Sequence, residues 1–196
     1  MTKEHVLTEI VKEAAKKASL ALLKLSGDEA SVEFTKIEIG KIQKVFSKID
    51  PELMVAGVHL PVSGDIKGAS LLIFPKEIAC TLCDVILKRK VETARQLTEM
   101  DQSVLKEVGN IILGSLLTVF SNHLEMKIIE GLPEFSLDMF GALVDQIITQ
   151  FIQKEEEALT VELKFNFKNI HIKGYIFLIF GTEEIKVLIK KMEENA

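Results

Sequence analysis

A chain of 196 residues and 21.9 kDa has room for one large domain or two small ones. Apolar types make up 47% and charged types 27%, which excludes disorder and low complexity as the main description. With 24 Lys and Arg against 29 Asp and Glu, the formal charge of -5 argues against a general affinity for nucleic acid or an anionic membrane, both of which need a basic field.

The two cysteines, Cys80 and Cys83, cannot form a secreted-type disulfide framework. The opening MTKEHVLTEIVKEAAKK has no uninterrupted apolar core of signal-peptide kind, and no unbroken apolar run approaches membrane-spanning length. These features lead us to expect an acidic cytoplasmic protein without membrane insertion.

In chain order, residues 7–25 carry Ile10, Val11, Ala14, Ala18, Ala21, Leu22 and Leu25 at helical spacing, and Gly27 is a plausible stop. Residues 31–39 read as a strand with only partial alternation, and 40–50 could hold a short helix before Pro51. Strands are expected over 53–60 and 68–74, with a turn at PVSGD, residues 61–65. Pro75 can open a helix running to about residue 90. A charged stretch, 88–102, then precedes a second strong helix over about 103–126, and a further helical pattern spans 138–153. The run KEEEA, 154–158, reads as the surface end of that helix, and 159–167 and 171–180 read as strands around a short turn.

The chain repeats itself. IKGASLLIF at 66–74 and IKGYIFLIF at 172–180 share their IKG openings and LIF endings. Each lies downstream of a long helix in which polar positions recur together: Glu9, Glu13 and Lys16 in the first, Ser103, Glu107 and Asn110 in the second. The expected fold is α/β, a pseudo-two-fold repeat of a long helix plus antiparallel strands. The strands form one continuous sheet with helices packed on it. We expect a single domain over 1–196 made of two internal repeats, about 7–90 and 101–190, because either half alone has too small a core.

In an α-helix successive residues step by about 100°, so with Ser103 at zero, Glu107 lies near 40°, Asn110 near -20° and Gly114 near 20°. Val104, Val108, Ile111, Ile112, Ser115 and Val119 fall on the side roughly 80° to 180° away. Glu107 and Asn110 are therefore adjacent on a face turned from the core, with a shallow spot at Gly114. Helical geometry leaves two readings open: an ordinary solvated face, or a site. Gly109 and Gly114 each cost about 1 kcal/mol relative to alanine, which suggests that something approaches closely there.

The segment DQSVLKEVGNIILGSLLTVFS, 101–121, resembles the signature helix of the CheC, CheX and FliY phosphatases of bacterial and archaeal chemotaxis. Their pattern of Asp or Ser, then Glu, Asn and a distant Pro is matched in spacing by Ser103, Glu107, Asn110 and Pro133. GDIKGASLLIFP, 64–75, and DMFGALVD, 138–145, resemble further CheC segments in the same order, and length and layout look most like CheC. The resemblance implies a pseudo-two-fold fold with up to two such helices. It also implies hydrolysis of the aspartyl phosphate on the response regulator CheY, with Asn110 positioning the water and Glu107 meeting a regulator lysine. Ser103, Gly114 and Pro133 would be supporting motif positions. It implies no cofactor of the chain's own, Mg2+ in the partner regulator, and CheD as a second partner. The chain would be a monomer or a heterodimer with CheD. A non-catalytic adaptor binding CheD or phosphorylated CheY is the alternative.

The first helix departs from the pattern. Glu9, Glu13 and Lys16 occupy the places of Ser103, Glu107 and Asn110, Leu20 stands for Gly114, and Ile39 for Pro133. A lysine donates but cannot accept, whereas an amide does both, so this copy is expected to be degenerate. The single CxxC of Cys80 and Cys83 reads as packing, and His5, His59, His123 and His171 show no ligand spacing.

Overall fold

The computed structural model describes residues 3–27, 30–151, 156–167 and 170–194. In chain order the elements are α1 (Lys3–Ser26), β1 (Ala30–Lys41), α2 (Ile42–Phe46), β2 (Met54–Gly64), β3 (Gly68–Pro75) and α3 (Lys76–Ile86). They are followed by α4 (Glu99–Leu124), β4 (Ile128–Glu130), β5 (Glu134–Met139), α5 (Phe140–Phe151), β6 (Glu156–Phe167), β7 (Ile170–Gly181) and α6 (Thr182–Glu194). All strands join one antiparallel sheet in the order β1-β6-β7-β3-β2, with β4 and β5 both pairing with the far side of β2.

The repeated segments explain the symmetry. β3 and β7 lie side by side at the sheet centre, and Leu71 stands opposite Phe177. These are the same position of the two IKG segments, so a local two-fold runs between them. Outward from it, β2 and β6 flank the pair, and β5 and β1 flank those. The IKG glycines serve close approach: a Cβ on Gly68 would strike the Ile179 carbonyl and the Phe180 ring, and one on Gly174 would strike the Phe74 ring. Phe74 and Phe180 are themselves equivalent, so each repeat's glycine receives the other repeat's phenylalanine.

Both sheet faces are covered, which is why the central strands read as unbroken apolar runs. Leu72, Phe74, Ile176, Leu178 and Phe180 meet α1, α3, α4 and α6 on one face. Ala69, Leu71, Ile73, Phe177 and Ile179 meet α2 and α5 on the other. There Phe46, Phe140 and Phe177 pack edge-on and tilted around the two-fold, with centroids 5.0 to 6.2 Å apart.

Several expected boundaries move, each for a local reason. Strand β1 alternates imperfectly because a bulge between Phe34 and Lys36 shifts the register against β6. The turn expected at 61–65 is shorter, since β2 runs through Pro61 to Gly64. Pro61 is tolerated because its backbone faces the 131–133 connection, where its carbonyl accepts from the Gly131 N–H at 2.8 Å and no donor is needed. Asp138 belongs to β5, so the helix expected from 138 starts at Phe140; residues 152–153 lie outside the described residues. In the run 154–158, residues 154–155 lie outside the described residues, and 156–158 open β6 instead of ending a helix. Strands β4 and β5 and helix α6 were not expected, and Gly27 ends α1 at φ +64 as expected.

Helix α4 begins at Glu99, four residues before its expected start. The Thr98 hydroxyl accepts from the Asp101 N–H at 3.3 Å, and the Asp101 carboxylate accepts from the Thr98 N–H at 2.8 Å, a reciprocal capping box. Arg95 then bridges Asp84 and Asp101 at 2.6 Å each, with Arg89 on Asp101 at 3.0 Å. The charged stretch before the helix is thus a clamp around two buried carboxylates. Burial alone would raise the Asp101 carboxyl, but hydrogen bonds from Arg95 and from Thr98 outweigh it and hold the carboxyl at about 2.

Candidate functional site on helix α4

Helix α4 is buried around most of its circumference. Val104, Val108, Ile112 and Val119 are inside, as helical geometry expects, and so are Leu105, Gly109, Leu113, Leu116, Leu117 and Phe120 on the opposite flank. An 18-residue stretch of it has mean hydropathy 1.4, a composition compatible with crossing a membrane, yet 61% of that stretch is buried inside the protein. It is a core helix with one narrow open strip. Between residues 103 and 118 the exposed positions are Ser103, Glu107, Asn110 and Thr118.

On that strip the Ser103 hydroxyl donates back to the Glu99 carbonyl at 3.0 Å, an ordinary intrahelical contact. Neither Glu107 nor Asn110 is hydrogen-bonded or ion-paired among the described residues. The two glycines have different reasons. A Cβ on Gly109 would come within 2.8 Å of Val58 Cβ, so this glycine lets the helix sit down on β2. Gly114 is not the open shallow spot expected from the helical wheel. It is buried, and the Glu130 carboxylate lies over it, with oxygens 3.0 and 3.2 Å from where a Cβ would stand. Pro133 is half-buried in the connection that follows β4.

Glu130 was missed by sequence reasoning, because β4 is three residues long and its pairing with β2 has no local signal. Lying against the helix desolvates its carboxyl and pushes it above the ordinary carboxylate range.

The first helix presents a different face. Glu9 is paired with Lys12 at 3.0 Å, and Glu13 with Lys17 at 3.0 Å, while His123 Nε2 of α4 stands 3.7 Å from Glu13. Lys16 points to solvent and Leu20 is 56% exposed, so no slot like that at Gly114 exists on α1. Ile39, the counterpart of Pro133, lies on the edge strand β1.

The remaining candidates are structural. Cys80 and Cys83 are buried free thiols that donate to the Arg95 and Asp101 carbonyls, both at 3.6 Å. Burial pushes Cys83 up to about 12, away from thiolate chemistry. Among the described residues no group of three or more His, Cys, Asp or Glu is placed to hold a metal ion. Two grooves lie away from this strip, one of about 500 Å³ between α2 and α5 and one of about 370 Å³ beside α1 and β1.

A family model described as the CheC-like family matches residues 100–130, the motif helix and the β4 that covers it. The whole fold is similar to that of Thermotoga maritima FliY, with a TM-score of 0.79 at 18% identity over 99% of this chain and 97% of that one. These likenesses point toward the CheC/CheX/FliY family. Within it, similarity to the CheY-P phosphatase CheC of Bacillus subtilis is 29% over 133 residues, covering 65% of this chain and 63% of that protein, so the match spans less than two thirds of the relative's length. The chain is also similar in fold to CheX in the CheX-CheY-BeF3-Mg2+ complex of Borrelia burgdorferi, with a TM-score of 0.54 at 18% identity over 87% of this chain and 97% of that one.

Proposed function

We propose that this protein hydrolyses the aspartyl phosphate of phosphorylated CheY, with Asn110 positioning the attacking water and Glu107 docking a lysine of the regulator. The observation that carries this reading is the open strip of α4. On a helix otherwise built into the core, a carboxylate and an amide face solvent together with no partner among the described residues. The name of the Bacillus subtilis relative supports the reaction, and the Borrelia burgdorferi complex supports a CheY-type partner.

An exposed pair suits a substrate that is itself a folded protein and brings half of the reaction centre. The acyl phosphate needs a water in line with the leaving oxygen. The water oxygen bonds to phosphorus as the phosphorus–oxygen bond to the aspartate breaks, and that electron pair returns to the aspartate carboxylate. The water's protons leave with the phosphate and the solvent. An amide holds such a water without being a strong base, and positioning supplies much of the rate when the transition state is loose. Glu107 forms a charge-assisted contact with the incoming lysine, strengthened as the interface sheds water. Mg2+ belongs to the regulator in this scheme, and the chain contributes no cofactor.

Asn110→Ala is expected to lose all stimulated phosphate release from phosphorylated CheY while keeping the wild-type melting temperature. Unchanged turnover in that variant would sink the reading. The alternative is a non-catalytic adaptor, which the paired and altered first face favours. CheD is a proposed partner in either case. Running the assay with and without CheD separates the two readings, since an adaptor releases no phosphate in either condition.

A further inference from the structure

The open strip of α4 has two flanks of different chemistry. On one side packs α1, whose Glu9 and Glu13 are paired with lysines. On the other lies the outer edge of the sheet, where apolar side chains stand in solvent. Resting on the phosphatase reading, we propose that Leu132, Leu137, Met139 and Met54 form the surface on which the folded body of phosphorylated CheY docks, with Leu132 as its anchor.

Two contacts fix the course of α4 over the sheet. Gly109 sits on Val58 of β2, and the carboxylate of Glu130, the strand partner of Val62, lies over Gly114. The connection 131–133 leads from there to β5, where Phe135 is the partner of Val58. It therefore passes the helix between the levels of residues 109 and 114, about 7.5 Å of rise that includes Asn110. The Gly131 N–H donates to the Pro61 carbonyl at 2.8 Å, and Pro133 is half-buried, so the connection is held at both ends. Between them Leu132 is 84% exposed, the most exposed large apolar side chain among the described residues.

Antiparallel partners share a sheet face, and successive residues alternate between faces. Ala56 and Val58 face the α4 side, so Met54 and the partners Phe135, Leu137 and Met139 face it too. Phe135 packs against the core, whereas Leu137, Met139 and Met54 stay exposed, because β5 lies outside β2 and beyond the helix. A lone exposed leucine needs no explanation, but four apolar side chains along one edge mark an interaction surface. Two are methionines, whose flexible thioethers suit a protein-binding face. A folded partner that covers Asn110 buries roughly 800 Å² of this chain, far more than one strip of helix offers. Charge is depleted at the centre of such interfaces, so the apolar flank is covered and the ion-paired flank stays at the rim.

The test uses the full chain with Leu132→Ser, Leu132→Met, Met139→Ser and, on the α1 flank, Leu20→Ser. All three positions are exposed, so the wild-type melting temperature is expected to be kept. The readouts are Kd for CheY loaded with beryllofluoride and Mg2+, and steady-state turnover of phosphorylated CheY. Leu132→Ser is expected to raise Kd and KM about tenfold with kcat within twofold, and Met139→Ser to raise them about threefold. Leu132→Met and Leu20→Ser are expected to bind as wild type does. An unchanged Kd in Leu132→Ser overturns the proposal, and so does a Kd that rises in Leu20→Ser instead. Failure of the phosphatase reading looks different: phosphorylated CheY is not turned over, while beryllofluoride-loaded CheY still binds through Leu132. A wild-type chain that neither binds nor turns over CheY overturns both.

Discussion

Helices α1 and α4 fill equivalent places in the two halves of the fold, but they are held there by different means. α4 is anchored at its start by two carboxylates buried under Arg95, and its flank is pressed onto β2 at Gly109. The described ion pairs of α1 lie at the surface, and Ala15 stands where Gly109 does, two residues beyond the motif glutamate. The comparison teaches that two equivalent helices of a repeat can be supported in quite different ways. A carboxylate and an amide left unpaired on one strip need a helix whose other sides are fixed. On the opposite copy the Glu13 carboxylate is paired with Lys17 and approached by His123, an ordinary surface arrangement.

Breaking the anchor is expected to have the largest effect on stability. Arg95→Met leaves Asp84 and Asp101 buried without their shared cation and should destabilise the fold by about 3 kcal/mol, whereas Lys17→Ala on α1 should cost about 1 kcal/mol or less. Urea unfolding of both variants checks the contrast. The same anchor sets an acid limb. Asp101 is held at about 2 in the folded chain and lies near 3.9 in an unfolded one, so its contribution is present above about pH 4 and is lost as pH falls toward 2. That loss is on the order of 2 kcal/mol, read as a falling urea midpoint between pH 5 and pH 2.

Gly109→Ala drives a methyl into Val58 and should cost about 2 kcal/mol by thermal melting, despite alanine's better helix propensity. The smallest effect sharpens the functional side of the comparison. On the proposed phosphatase reading, Glu13→Gln should leave turnover of phosphorylated CheY within about twofold of wild type, because the first face has Lys16 in place of an amide. A large drop in that variant would show that the first face still works.

Much of this was legible in the residues. The helical wheel correctly set Glu107 and Asn110 away from the core, and the twin IKG segments pointed to the symmetric sheet before any strand pairing was known. The start of α4 was missed although its signal is local, Thr98 with Asp101 three residues on. The charged stretch before it carries no sign of the clamp, because nothing in the order of residues says that Arg95 reaches back to Asp84. The second flank of α4 was also hidden. A wheel shows which residues share a side, but not how many neighbours will cover the helix.

What the sequence alone determined rests on local physics. The step between helical residues, the alternation along strands and the spacing of the motif are properties of a short length of chain. The fate of Gly114 was decided by tertiary structure, because β4 reaches it only through pairing with β2, more than sixty residues earlier in the chain. Whether a glycine on an open strip faces water or a carboxylate depends on that distant pairing, and no local pattern encodes it.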